Sequence, residues 1–132
     1  MPKLLQIVHG YPPRELAGTE IYAERLTRAL SAKGWEVEVL AATRAPGLPQ
    51  ASWLPTEQDG AGNRIHRIVN NLPWRPLGAL ENDSAIASAC KHRISAIQPD
   101  LVHVQHLLFL GLTLRFDVPS IVTLHDAWAW CP

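Results

Sequence analysis

The chain alternates short apolar runs with segments in which apolar residues recur at helical spacing. The first run, Lys3–Val8, is short and almost wholly apolar, which is typical of a parallel strand covered on both faces. A loop with Gly18 leads into a helical pattern over residues 19–33, and Gly34 ends that pattern. The chain therefore opens with a predicted strand, a loop and a helix.

The predicted first helix has an apolar side and a charged side. Glu24 and Arg28 lie four residues apart and are expected to pair on the exposed side. The residues expected to pack on a sheet are Tyr22, Leu26, Ala29, Leu30 and Lys33. A crossover helix packed in this way makes the two strands that flank it parallel neighbours.

The same alternation continues to the end of the chain. Residues 36–41 predict a second strand, and the proline- and glycine-rich residues 44–63 predict a long loop. Asn82 or Asp83 is expected to cap a second long helix, which ends before Pro99. Its expected apolar stripe consists of Ile86, Ala89, Cys90, Ile94 and Ile97.

Three further strands complete the predicted sheet. They cover Arg64–Val69, Leu101–Val104 and residues 120–124, and a short helix is predicted over residues 107–114. Repeated strand-helix alternation predicts the α/β class, with a Rossmann-like parallel sheet flanked by helices. We expect five parallel strands, with the first in the middle and the second beside it.

Composition narrows the class of protein. The 132 residues, of which 47% are hydrophobic, suit one domain over residues 1–132. Twelve basic and twelve acidic residues, without a basic cluster, argue against nucleic acid as a partner. No apolar run approaches a membrane span and no signal peptide opens the chain, which predicts a cytoplasmic location. Cys90 and Cys131 form no disulfide or metal motif, and we expect both to be reduced thiols.

The loop before the first helix is the first candidate site. Ala17, Gly18 and Thr19 leave backbone N–H groups uncovered at a helix N-terminus, where the helix dipole favours an anion such as a phosphate. The alternative interpretation is that Gly18 only lets the loop turn. The residues alone do not decide between the two.

The carboxyl ends of the other strands carry further candidates, because ligands of such sheets bind beyond those ends. Gln105 and His106 follow the fourth strand, and His125 and Asp126 follow the fifth. A histidine followed by an aspartate can position a hydroxyl, bind a sugar or transfer a proton. His125 can also be a mere strand cap, but the glycine loop at the same edge favours a functional role.

Other chemistries lack their motifs. The chain contains no GxGxxG, no GxxxxGK[ST] and no GxSxG, which argues against dinucleotide, P-loop and α/β-hydrolase sites. His103, His106, His125 and Cys131 are zinc-capable residue types, but His103 and His106 are expected on opposite faces of a strand. We therefore expect neither a metal nor another cofactor.

Several segments together resemble the start of a family 4 retaining glycosyltransferase. They are IVHGYPP (residues 7–13), AGTEIY (17–22), LSAKGWEVEVL (30–40), PDLVHVQH (99–106) and VPSIVTLHDAWAWCP (118–132). The resemblance covers both ends of the chain and skips residues 44–98. It implies the N-terminal, acceptor-side half of a GT-B architecture, in which two Rossmann-like domains flank a cleft.

The resemblance also implies roles for single residues. Ala17 and Gly18, with Thr19, match the family's usual glycine pair near the donor diphosphate, although Ala17 replaces the first glycine. His125 matches the family's histidine beside the donor sugar, and Asp126 follows it as its catalytic companion. The residues that the resemblance puts on the acceptor side are Tyr11, Glu20, Gln105, His106 and Trp128.

The implied reaction moves a sugar from a nucleotide-sugar donor to the hydroxyl of a sugar, a lipid-linked molecule or another acceptor, with retention. The family holds its donor mainly with a C-terminal domain that contains two glutamates eight residues apart, and this chain has no such pair. The expected partners thus include that domain, a peripheral contact with a membrane is compatible with the family, and the isolated chain is expected to be inactive. The alternative hypothesis is a non-enzymatic α/β module that binds a sugar or a protein partner.

Overall fold

The computed structural model describes residues 1–71, 83–111 and 114–125 as an α/β sheet structure. Its strands are β1 Lys3–Val8, β2 Glu36–Thr43, β3 Glu57–Gln58, β4 Arg64–Val69, β5 Leu101–Val104 and β6 Ser120–Val122, and its helices are α1 Gly18–Ala32 and α2 Ser84–Ile97. The strand order is β3-β4-β2-β1-β5-β6, and only β3 is antiparallel to its neighbour. The predicted Rossmann-like class and the five parallel strands centred on β1 are confirmed. Neither of these two helices is long and apolar enough to cross a membrane.

Strand β1 lies at the centre because its side chains are almost all apolar and can be covered on both faces. Leu4 pairs with Val37 of β2 on one side and with Leu101 of β5 on the other. From Leu4 to Val8 every residue is buried. The central strand therefore exposes a side chain to solvent only at its start.

Each face of the sheet has its own core. One core lies on the α2 side and contains Leu5, Ile7, Leu40, Ala42, Ile68, Ile86, Cys90, Ile97, Val102, Val104 and Leu110. The other contains Val8, Tyr11, Ala23, Val39, Ala41 and Ile65, and includes a residue of α1. Because side chains alternate along a strand, consecutive residues of β1 and β2 serve opposite cores.

Helix α2 follows its prediction closely. Asp83 is the N-cap, and its Oδ1 accepts hydrogen bonds from the backbone N–H groups of Ala85 and Ile86 at 3.0 and 3.2 Å. The buried residues Ile86, Cys90 and Ile97 belong to the predicted stripe. Asn82, the other predicted cap, lies outside the described residues.

The predicted packing face of α1 is wrong. The helix buries Glu20, Ala23 and Thr27, whereas Tyr22 is 44% exposed. The reason is that Gln6 of β1 faces this helix, so the helix meets it with a backbone carbonyl and a hydroxyl instead of large apolar side chains. The predicted Glu24–Arg28 pair on the exposed side is confirmed, with 2.8 Å between Glu24 Oε1 and Arg28 Nη2.

Three further predictions need correction. The loop over residues 44–63 contains β3, which pairs with β4 and is too short to show a sequence period. The predicted helix over residues 107–114 is a turn in its described part, where Phe109 and Gly111 have φ of 66° and 117°. Strand β6 ends at Val122, before the predicted Leu124, and Val122 is 58% exposed.

A buried arginine fastens the loop after β1 to the sheet. Arg67 of β4 is 0% exposed, and its guanidinium donates to the backbone oxygens of Tyr11 at 2.9 Å and Pro12 at 2.8 Å. It also donates to Glu15 at 3.0 Å and to Glu57 at 3.2 Å. One buried side chain thus donates to two backbone oxygens and two carboxylates.

We expect Arg67→Met to lower the free energy of unfolding by about 3 kcal/mol, because it leaves buried acceptors and carboxylates without their partner. The matched control is Arg28→Met, which removes an arginine whose side chain is 58% exposed in a pair within one helix. The control should cost less than about 0.5 kcal/mol. Urea denaturation of both variants measures the difference, and equal losses would contradict the role given to Arg67.

Candidate functional site

The carboxyl ends of β1 and β5 meet at one edge of the sheet. His9 follows β1, and its ring packs edge-on against the ring of His106, with 4.7 Å between the ring centroids. The ring of Phe109 also packs edge-on against His9, with 6.2 Å between the ring centroids. His106 was predicted at this edge. It contacts the ring of His9, which lines a cleft.

That cleft has a volume of about 300 Å³ and opens beyond the ends of β1, β2 and β4. The residues that line it are His9, Glu15, Glu20, Ala42, Thr43, Arg44, Asn70 and Phe109. Three strand ends, the turn after β5 and the start of α1 thus contribute side chains to one space, as expected for a parallel sheet.

Glu20 is the most unusual group in the cleft, because it is a carboxylate that is only 4% exposed. Its Oε1 lies 2.9 Å from Nε2 of His9, so the histidine N–H donates to it. Within the described part of the chain, its second oxygen, Oε2, is buried and has no hydrogen-bond partner. A buried carboxylate oxygen without a donor is costly, and a ligand hydroxyl or ammonium group in the cleft would supply that donor.

Gly10 allows this arrangement by its lack of a side chain. A Cβ at Gly10 would lie 2.9 Å from Cβ of Glu15 and 3.1 Å from Oε1 of Glu20. The two glutamates can therefore approach the β1 end only because residue 10 is a glycine.

Glu15, the other glutamate of the cleft, already has hydrogen-bond donors within the protein. Glu15 accepts hydrogen bonds from Thr43 Oγ1 at 2.8 Å, from the Tyr11 backbone N–H at 3.1 Å and from Arg67 at 3.0 Å. Both of its oxygens are thereby engaged within the protein. Of the two glutamates in the cleft, Glu20 is the one with capacity for a ligand.

Helix α1 begins at the same edge with an open N-terminus. Ala17 is the N-cap in extended conformation and makes no side-chain cap hydrogen bond. The backbone N–H groups of the first turn, which include those of Gly18 and Thr19, are therefore not capped by that residue. A Cβ at Gly18 would meet no atom within 4 Å, so space is open there for a bound group.

His125 lies beyond β6, on the side of the sheet that faces α1. Its Nε2 is 2.7 Å from Oε1 of Gln105, and its ring packs edge-on against Tyr22 of α1 with 5.1 Å between centroids. Together with Gln105 and His106 it lines a second space of about 380 Å³. The predicted residues His106, Gln105 and His125 thus border one cavity.

A buried polar side chain that our sequence reasoning missed supports this group. Gln6 of β1 is 0% exposed and joins Gln105 to Thr27 of α1 through its amide. The signal was present in the sequence, because Gln6 is the only polar residue within an otherwise apolar run from Leu4 to Val8. A lone amide in a strand covered on both faces must find internal partners.

Some predicted site residues have less access to a ligand than others. Tyr11 is 1% exposed within the α1-side core, and burial raises its pKa to about 12. Gln105 is 2% exposed and its amide is already used by Gln6 and His125. The predicted contacts of Tyr11 and Gln105 with an acceptor remain predictions. The burial of both side chains does not favour such contacts. Asp126 and Trp128 lie outside the described residues.

The described residues give no support for a metal site or a reactive thiol. Among those residues, no three or more histidine, cysteine, aspartate or glutamate side chains are grouped so as to hold a metal ion. Burial raises the pKa of the Cys90 thiol to about 12, and a thiol with such a pKa is inert near neutral pH. Cys131 lies outside the described residues.

Comparison with known protein families adds an independent finding. The sequence profile of Glycosyltransferase Family 4 matches residues 16–131 of the chain. None of the curated proteins matches the chain significantly.

Solved structures with a similar fold include two of sucrose-phosphate synthase from Thermosynechococcus elongatus. The first has a TM-score of 0.65 and 20% identity, and the match covers 96% of this chain and 33% of the synthase. The second has a TM-score of 0.58 and 22% identity, and it covers 98% of this chain and 66% of the other. This chain therefore spans about a third of the length of the first synthase.

A third similar structure is the catalytic domain of starch synthase IV from Arabidopsis thaliana, bound to ADP and acarbose. Its TM-score is 0.53 at 12% identity, and the match covers 82% of this chain and 28% of that one. At these identities the likeness concerns the fold.

Proposed function

Since the chain belongs to glycosyltransferase family 4, we propose that it forms the N-terminal, acceptor-side domain of a retaining, nucleotide-sugar-dependent enzyme. The enzyme transfers a sugar to an acceptor hydroxyl: the bond from the anomeric carbon to the donor diphosphate breaks, a bond to the acceptor oxygen forms, and the hydroxyl proton passes to the departing diphosphate. The observation that carries the proposal is that Glu20, His125 and the open start of α1 lie at one edge of the sheet.

The donor diphosphate binds at the N-terminus of α1. The first-turn N–H groups at Gly18 and Thr19 point away from the helix, and Ala17 offers them no side-chain acceptor. An anion at this place gains hydrogen bonds and the field of the helix dipole. The backbone of Ala17 contributes as well, although its Cβ permits a less close approach than the family's usual glycine.

The acceptor binds in the cleft of about 300 Å³. Glu20 Oε2 accepts a hydrogen bond from an acceptor hydroxyl, which gives this buried oxygen the donor that it lacks among the described residues. His9 holds the other oxygen at 2.9 Å, so the carboxylate keeps its orientation when the cleft is empty. His106 packs on His9 and shapes the wall.

The remaining wall of the active site comes from a second domain. Catalysis depends on contacts that strengthen in the transition state, and a nucleotide held from one side only makes too few of them. A starch synthase catalytic domain with this fold is bound to ADP and acarbose, which supports a nucleotide and a carbohydrate as ligand classes. The isolated chain is therefore inactive.

Titration calorimetry of the isolated chain with UDP-, GDP- and ADP-sugars tests whether tight binding of the nucleotide needs the second domain. We expect Kd values of about 1 mM or weaker, equivalent to no more than about 4 kcal/mol of binding free energy. A micromolar Kd would place the nucleotide site within this chain and overturn the proposed role of the second domain.

Gly18→Ala tests the diphosphate site in the protein that contains both domains. The added Cβ meets no atom within 4 Å, so stability should be unchanged or rise by up to about 1 kcal/mol. We expect the KM for the nucleotide sugar to increase about tenfold, which corresponds to about 1.4 kcal/mol of lost binding.

The control for Gly18→Ala is Gly60→Ala, where a Cβ also meets no atom within 4 Å but where no ligand is proposed. Its KM should equal that of the unaltered enzyme. If both variants keep that KM, the start of α1 does not contact the diphosphate.

His125→Ala tests the contact with the donor sugar. We expect kcat/KM to fall on the order of 100-fold, the usual value of a positioned polar or proton-transfer group. The loss of one hydrogen bond to Gln105 should lower the free energy of unfolding by no more than about 1.5 kcal/mol. Steady-state kinetics and denaturation on the same preparation separate the two effects.

Two further variants complete the His125 experiment. His92→Ala removes an exposed histidine of α2 and should leave turnover unchanged. Asp126→Asn should reduce the rate less than His125→Ala, because an aspartate that orients a ring contributes less than the ring itself. Normal turnover per folded molecule in His125→Ala would mean that His125 only caps its strand.

A further inference from the structure

Four side chains form one hydrogen-bonded line from α1 to the residues beyond β6. Gln6 Nε2 donates to Thr27 Oγ1 at 2.6 Å and to the Ala23 carbonyl at 3.2 Å. Gln105 Nε2 donates to Gln6 Oε1 at 2.9 Å, and Gln105 Oε1 lies 2.7 Å from Nε2 of His125. Gln6, Gln105 and Thr27 are at most 2% exposed, so water does not compete for these bonds.

The backbone carbonyl of Ala23 determines which group donates and which accepts in every hydrogen bond of this line. A backbone carbonyl only accepts, so Gln6 turns its NH₂ group to Ala23 and its oxygen to Gln105. Gln105 must then turn its NH₂ group to Gln6 and its oxygen to His125. That oxygen needs a donor, so the proton of the neutral His125 ring is on Nε2 and the lone pair is on Nδ1.

The residues around this hydrogen-bonded line favour the same tautomer of His125. Tyr22 packs edge-on against His125, with an angle of 70° between the rings, and limits rotation of the imidazole. His103 lies beside Gln105, and its Nε2 is 2.7 Å from Thr123 Oγ1. Burial and the nearby His125 lower the pKa of His103, so near neutral pH it adds no charge that would reorient the Gln105 amide.

We propose that Gln6 and Gln105 are positioning residues that keep the proton of His125 on Nε2, so that Nδ1 accepts a hydrogen bond from a hydroxyl of the sugar ligand. Because Nε2–H is already engaged, a neutral His125 serves as an acceptor and not as a donor. The inference rests on the proposed function for the identity of the ligand, whereas the ring state itself can be measured without any activity.

Long-range ¹H–¹⁵N NMR of the protein labelled with ¹⁵N-histidine tests the proposal. At about pH 8.5, roughly two units above the ordinary histidine pKa, neutral rings dominate. His9 and His66 also face buried carboxylates through Nε2 and can give protected N–H signals of their own. We expect a further imidazole N–H proton to be protected from exchange with water and to belong to Nε2 of His125. Its signal is assigned by its disappearance in His125→Ala.

Three variants change, in turn, the residue that contacts His125, the residue behind it in the line and a control residue. Gln105→Leu removes the acceptor and should abolish the protected signal. Gln6→Leu does not contact His125, but it frees the Gln105 amide to rotate, so the proton should exchange about tenfold faster. Thr27→Val should keep the signal, because the Ala23 carbonyl still orients Gln6.

The spectrum of the unaltered protein is decisive even if a variant fails to fold, which near-UV circular dichroism reveals. A proton on Nδ1 of His125, or a folded Gln6→Leu variant with unchanged exchange, overturns the inference. Protected Nε2–H together with normal turnover of His125→Ala overturns the proposed function alone. The two hypotheses can therefore fail separately.

Discussion

The structure depends on one constraint, which is that β1 is buried on both faces and at the centre of the sheet. Any polar side chain on this strand must find its partners inside the protein, since water cannot reach it. Gln6 meets the constraint by bonding to α1 on one side and to Gln105 of β5 on the other. The helix, the central strand and the site beyond β5 are thereby joined by one amide, and their relative positions are coupled.

Two buried carboxylates show how polar groups differ between the ends of the sheet. Glu38 of β2 is 2% exposed, and its oxygens face His66 at 2.6 Å, Arg64 at 3.2 Å and Lys3 at 3.6 Å. Glu20 at the carboxyl end is buried as deeply, but Oε2 has no partner within the described chain. The first arrangement is complete within the protein, whereas the second leaves one carboxylate oxygen without a donor among the described residues. This contrast, more than burial alone, distinguishes a site from an internal ion pair.

Local pattern was sufficient for the parallel strands and the Asp83 cap, because each depends on residues that are close in sequence. The crossover rule for a strand, a helix and a strand was sufficient to place β2 beside β1. The packing face of α1 was not predictable in that way. It is set by Gln6 on the facing strand, which selects Ala23 and Thr27 over larger apolar residues. The two-residue β3 likewise exists only through its pairing with β4. At the site, the sequence identified the strand ends but not the direction in which each side chain points.

That direction follows from strand alternation and divides the edge of the sheet into two halves. His9 and His106 pack together with Phe109, which contacts the α2-side core. Gln105, one residue earlier than His106, points to the opposite face and meets His125 there. Helix α1 spans both halves within its first two turns, because Glu20 reaches His9 and Tyr22 reaches His125. The start of this helix therefore adjoins both the cleft that Glu20 lines and the cavity that His125 borders.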